Sequence, residues 1–84
     1  MTGITRCPQQ RKGYKAWRFN ILRGKSSQFA YFPDNRFGSE EASLRAAITF
    51  RKIIMEQLET MPPEEVITKQ NFQKVMESLY DQEH

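Results

Sequence analysis

The sequence has 84 residues, 38% of them hydrophobic and 27% charged, which describes one small domain with a modest core. There is little room for a deep substrate cleft, and no apolar run approaches the roughly 18 residues of a membrane span. The net charge of +3 hides a split: residues 1–38 carry eight basic side chains against one acidic, a net +7, and residues 39–84 carry five against nine, a net −4.

In chain order, MTGITRCPQQ lacks the apolar centre of a signal peptide, and the single Cys7 cannot form an internal disulfide. The expected location is therefore the cytoplasm, in association with the nucleoid, or the nucleus of a eukaryotic host. Residues 3–6 form a short predicted strand. Residues 7–13 (CPQQRKG) have the proline, glycine and polar density of a loop, with Arg11 and Lys12 at its tip. Residues 14–22 (YKAWRFNIL) read as a strand, with Trp17, Phe19 and Ile21 on one face and Ala16, Arg18, Asn20 and Leu22 on the other. Arg23-Gly24-Lys25-Ser26 is a turn. A third strand follows over 28–32, with Phe29 and Tyr31 on one face and Gln28, Ala30 and Phe32 on the other. Pro33-Asp34-Asn35 then breaks the chain.

Ser39 is a natural N-cap, and Glu40 and Glu41 suit the positive end of a helix. The predicted helix covers 40–59, about 30 Å long at 1.5 Å per residue. Its apolar stripe is Leu44, Ala47, Ile48, Met55 and Leu58, widened by Phe50 and Ile54. Small Ala42, Ala46 and Ala47 would let it lie close to a sheet. Met61-Pro62-Pro63 ends it. A second amphipathic helix, starting near Thr68 or Asn71, carries Phe72, Val75, Met76, Leu79 and Tyr80. Residues 1–60 thus form the main unit and 61–84 a helical extension. Phe72, Val75, Met76 and Leu79 can either pack back on the domain or meet a second copy or another protein.

Catalytic chemistry has little to stand on. The only histidine is the last residue, His84, so neither a metal-ligand cluster nor a histidine-paired nucleophile can be assembled. The four glycines are isolated and cradle no phosphate. A non-enzymatic protein without cofactor, metal or small-molecule substrate is expected. The segregated positive charge points to a polyanionic partner, nucleic acid first.

The order strand, strand, strand, helix, with the basic charge on the strands, resembles the AP2/ERF-type DNA-binding domain (AP2-like, integrase-type). The bacterial, phage and apicomplexan branches are closer than the plant one. Gly3-Ile4 stands where that family has a "G-V" strand. Lys15-Ala16-Trp17-Arg18-Phe19-Asn20-Ile21 is similar to its "K-W-x-A-x-I" strand. Phe29-Ala30-Tyr31, Phe37-Gly38, Glu40-Glu41-Ala42 and Ala47-Ile48-Thr49-Phe50-Arg51 follow in the family's order. The likeness covers residues 3–55. Pro33-Asp34-Asn35 looks like a small insertion, and position 30, often a DNA-contacting tryptophan in the plant proteins, is Ala.

The resemblance implies an α+β fold: a three-stranded antiparallel sheet packed on one long helix, with the C-terminal amphipathic helix added. It also implies that the exposed sheet face enters the major groove of double-stranded DNA. Together with the two-residue period, it puts Trp17, Phe19, Ile21, Phe29 and Tyr31 against the helix. Arg18, Asn20, Gln28 and Ala30 are left outside. Arg18, Asn20 and Gln28 are then the expected base readers, an arginine forking onto guanine and an amide onto adenine. Arg6, Arg11, Lys12, Lys15, Arg23 and Lys25, on strand ends and turns, are the expected phosphate contacts. The expected role is transcription regulation or accessory work for a phage or mobile element. The alternatives are a protein-interaction module or inhibitor that engages a nucleic-acid-processing protein, and RNA binding through Tyr14, Phe32 and Phe37.

Overall fold

The computed structural model of the chain describes residues 2–6 and 15–82. It is an α+β fold. Three strands, β1 (Thr2–Arg6), β2 (Ala16–Arg23) and β3 (Ser26–Pro33), form one antiparallel sheet in the order β1-β2-β3. A helical turn, α1 (Asp34–Phe37), leads to the long helix α2 (Glu40–Thr60). A second turn, α3 (Pro63–Val66), leads to α4 (Lys69–Gln82).

The two short helical turns were not expected. Pro33 and Pro62–Pro63 do end the elements before them. A proline also suits the first turn of a helix, where its missing N–H is not needed. Pro63 accordingly stands at the first position of α3, while Pro33 and Pro62, in extended conformation, are the N-cap residues of α1 and α3. Gly38 closes α1 with φ +102, a left-handed angle that favours glycine, and its N–H donates to the Asp34 carbonyl at 2.8 Å. Ser39 caps α2 as expected, its Oγ accepting from the Ala42 N–H at 3.1 Å.

The hairpin between β2 and β3 decides which side chains face inward. Gly24, at φ +60, and Lys25 form a two-residue turn, so Arg23 pairs with Ser26, Ile21 with Gln28, Phe19 with Ala30 and Trp17 with Phe32. Directly opposed residues share a face. The inner face therefore carries Phe19, Ile21, Ala30 and Phe32, all buried, with Ile4 of β1 beside Phe19. This corrects the expected facing of β3. Ala30 is 8% exposed on the helix side, whereas Phe29 (49%) and Tyr31 (39%) lie on the open side.

The helix α2 crosses the inner face with Ser43, Ala46, Ala47, Phe50 and Ile54 buried. The small Ala46 and Ala47 let its backbone approach the strands. Ile48 and Met55, expected in the stripe, are exposed, because the contact line runs one position to the side. Trp17 docks the start of the helix, its Nε1–H donating to the Glu40 carbonyl at 3.2 Å.

The centre of the core is a group of phenylalanines. Phe50 lies 5.6 Å from Phe19, 5.4 Å from Phe32 and 5.0 Å from Phe72, centroid to centroid, each edge to face. Phe72, Val75 and Leu79 of α4 are buried in this same cluster, with Met76 packed against it. The apolar face of the second amphipathic helix thus completes the domain's own core. Asn71 fastens the helix in place, its Nδ2 donating at 2.8 Å to both Gln57 Oε1 and the Val66 carbonyl.

Candidate nucleic-acid interface

With α2 and α4 on one side, the other face of the sheet exposes Thr5, Arg18, Leu22, Phe29 and Tyr31, while Ala16 at its far end is buried. The rows of this open face follow from the register. Thr5, Arg18 and Tyr31 form one row across the strands, and Gly3, Asn20 and Phe29 form the next. Leu22 and Ser27 end the face. None of them is acidic.

Arg18 stands exposed near the middle of the central strand, its guanidinium 5.2 Å from the Phe29 ring centroid. Among the described residues no carboxylate or carbonyl accepts from it, so its fork of N–H donors points to solvent. The aromatic ring beneath narrows its rotamers at little cost. Asn20 is half-buried one row away, and its amide likewise finds no partner among the described residues. Beside it is Gly3, where an added Cβ would meet nothing within 4 Å. Phe29 and Tyr31 complete the patch, with centroids 5.5 Å apart and planes at 76°.

Two of the three expected base readers, Arg18 and Asn20, share the open face, and Gln28 reaches the same shallow depression from the edge strand. It pairs with Ile21 on the helix-facing side, and its Oε1 accepts from the neighbouring Phe29 N–H at 3.2 Å. Phe29 and Tyr31 take the open positions that the expected facing had given to Gln28 and Ala30. The signal for this was the length of the turn, since two loop residues set odd positions of β2 opposite even positions of β3.

The expected phosphate contacts divide. Lys15 and Lys25 are exposed at the ends of the strands. Arg23 is half-buried, donating to the Leu22 carbonyl at 3.0 Å and leaning towards Met55 Sδ at 4.0 Å. Arg6 has another role. It lies on the inner face opposite Trp17, with its guanidinium 5.0 Å from the indole, and it forks onto Asp34 Oδ1 and Oδ2 at 3.0 and 2.7 Å. It fastens the sheet edge to α1, with its side chain 30% exposed. Arg11 and Lys12 lie outside the described residues, as does Tyr14. The other two aromatics expected to stack on RNA, Phe32 and Phe37, are buried in the core.

Among the described residues no group of three His, Cys, Asp or Glu side chains is placed to hold a metal ion. No helix is long and apolar enough to cross a membrane. No family model, curated protein or solved structure matches this chain.

Proposed function

We propose that this chain is a small, non-enzymatic DNA-binding protein that lays the open face of its sheet in the major groove. The observation that carries the reading is the pairing of the Arg18 fork with the Asn20 amide, neither hydrogen-bonded among the described residues, on a face where those residues include no carboxylate. Three strands spaced about 4.8 Å apart make a ridge about 10 Å across, comparable with the roughly 12 Å width of the groove. Arg18 suits guanine O6 and N7, and Asn20 suits adenine N6 and N7. Lys15, Arg23 and Lys25, with Arg11 and Lys12, would hold the flanking phosphates and add affinity without sequence information. The resemblance of residues 3–55 to AP2/ERF-type domains supports the same use of the sheet. A role in transcription regulation or as an accessory factor of a phage or mobile element follows, at the nucleoid or in the nucleus.

A second reading draws on the exposed rings of Phe29 and Tyr31. Aromatics on an open sheet are a stacking platform for single-stranded RNA or DNA. Fluorescence anisotropy with labelled duplex and single-stranded oligonucleotides separates the two. The duplex reading expects tighter binding to duplex, weakened by salt and lowered at least about tenfold on a selected site by Arg18→Ala with Asn20→Ala. Equal, salt-insensitive binding by wild type and the double variant would sink it.

A further inference from the structure

Hydrogen-bond readout by Arg18 and Asn20 leaves the two exposed rings of the open face without a task. The major groove displays a single apolar group, the 5-methyl of a pyrimidine: thymine always, cytosine when methylated. We infer that Arg18, Phe29 and Tyr31 act as one unit that reads a guanine together with a neighbouring 5-methylpyrimidine. The inference rests on the duplex reading above and extends it to the class of site recognised.

The geometry supports this over a stacking role. Two bases stacked on successive rings need two open, similarly oriented ring faces. Phe29 and Tyr31 stand at 76°, edge against face, and the Arg18 guanidinium lies over the Phe29 ring. The exposed pair thus offers angled apolar surface beside Arg18 and not two parallel planes, and such surface suits a methyl group better than a base plane. The Arg18 guanidinium and the Phe29 centroid are only 5.2 Å apart, so a fork placed on guanine keeps the ring edge close to a neighbouring base. The ring that receives the methyl is also the one that steadies the arginine, so the two contacts should reinforce each other.

The test uses the whole 84-residue chain. Duplexes are first enriched from a random library. The best one is then resynthesised with each thymine replaced in turn by deoxyuridine, which removes the methyl and leaves every hydrogen-bonding edge intact. In a parallel set the cytosines next to guanine are replaced by 5-methylcytosine. The expected result is a loss of about fourfold at a thymine near an essential guanine, matching burial of one methyl. In the 5-methylcytosine set a gain over plain cytosine beside the essential guanine supports the inference, and no gain at any position overturns its extension to cytosine. Phe29→Ala should abolish the methyl effect and weaken the guanine preference without removing it, with Phe29→Leu intermediate and circular dichroism confirming the fold of each. Two results overturn the inference while sparing the duplex reading: no change at any thymine, or a methyl effect that survives in Phe29→Ala with Tyr31→Ala. Tighter binding to single strands than to any enriched duplex overturns both.

Discussion

Asp34 shows how one side chain can hold several parts of a small fold. It accepts two hydrogen bonds from Arg6 and one from Ser43 Oγ at 2.7 Å, and its backbone N–H donates to the Lys15 carbonyl at 3.0 Å. It thereby joins β1, the start of β2 and α2. The hydrogen bonds from Arg6 are the main reason its carboxyl sits below the ordinary value of 3.8; partial burial opposes them, and Ser43 adds to the lowering. A carboxyl that is more acidic in the folded state binds protons more readily when unfolded. Its stabilising contribution is then complete above about pH 4 and fades as the pH falls through the lowered value. Asp34→Asn should cost about 1–2 kcal/mol at pH 7, since Arg6 keeps one acceptor at best. Thermal melts should show the gap between wild type and variant narrowing below pH 4. A gap of constant size down to pH 2 would mean that the pair contributes through packing alone. Little of this was legible in the sequence. Asp34 read as part of a chain break, because its partner lies 28 positions away and only the register of β1 brings Arg6 to it.

At the scale of elements, the three strands, the long capped helix and the terminal helix were all legible, since each carries its own periodicity or cap. The side of β3 that faces inward was not read correctly. Phe29 and Tyr31 are the larger pair, and hydrophobicity alone assigns them to the core. The two-residue turn at Gly24 and Lys25 overrides that preference, because the register it sets must match the side of β2 that buries Phe19 and Ile21. Size and burial are thereby uncoupled in a way that substitution can check. Phe32→Ala should cost about 3–5 kcal/mol, enough to unfold much of so small a domain, since Phe32 is fully buried against Phe50 and Phe37. Phe29→Ala, on the open face, should cost less than about 1 kcal/mol. Urea unfolding followed by the single Trp17 gives both values, and similar costs at the two positions would reverse the assigned facing. Leaving two aromatic rings in solvent is a liability for a chain that only has to fold. Their place beside Arg18 makes sense if the face meets a ligand.

At the scale of the whole molecule, the uneven charge of the sequence becomes a direction in space. The open face and the strand ends carry Lys15, Arg18, Arg23 and Lys25 with no acidic neighbour among the described residues of that face, while on the helical elements exposed Glu40, Glu41, Glu56, Glu59, Glu64, Glu65 and Glu77 are nearly balanced by exposed Arg36, Arg45, Arg51, Lys52, Lys69 and Lys74. Such a molecule approaches a polyanion with its sheet first. If Arg18 is given to a base and Arg6 to Asp34, the phosphate contacts are Lys15, Arg23 and Lys25, with Arg11 and Lys12 added from outside the described residues. Five neutralised phosphates give a slope of log K against log [salt] of about −4.5 on duplex DNA. Lys25→Gln should reduce that slope by about 0.9 and weaken all sequences alike, because it removes one phosphate contact and no base contact. Arg6→Gln should behave differently. It breaks the bidentate pair and so lowers the melting temperature, yet at a temperature where the variant stays folded the slope should match the wild type. Both slopes can be read from anisotropy titrations between 50 and about 200 mM salt. A loss of slope in Arg6→Gln equal to that in Lys25→Gln would mean that Arg6 exchanges Asp34 for a phosphate on binding. In that case DNA binding itself would release the tie between β1 and α1, and the acid sensitivity assigned to Asp34 would disappear in the complex.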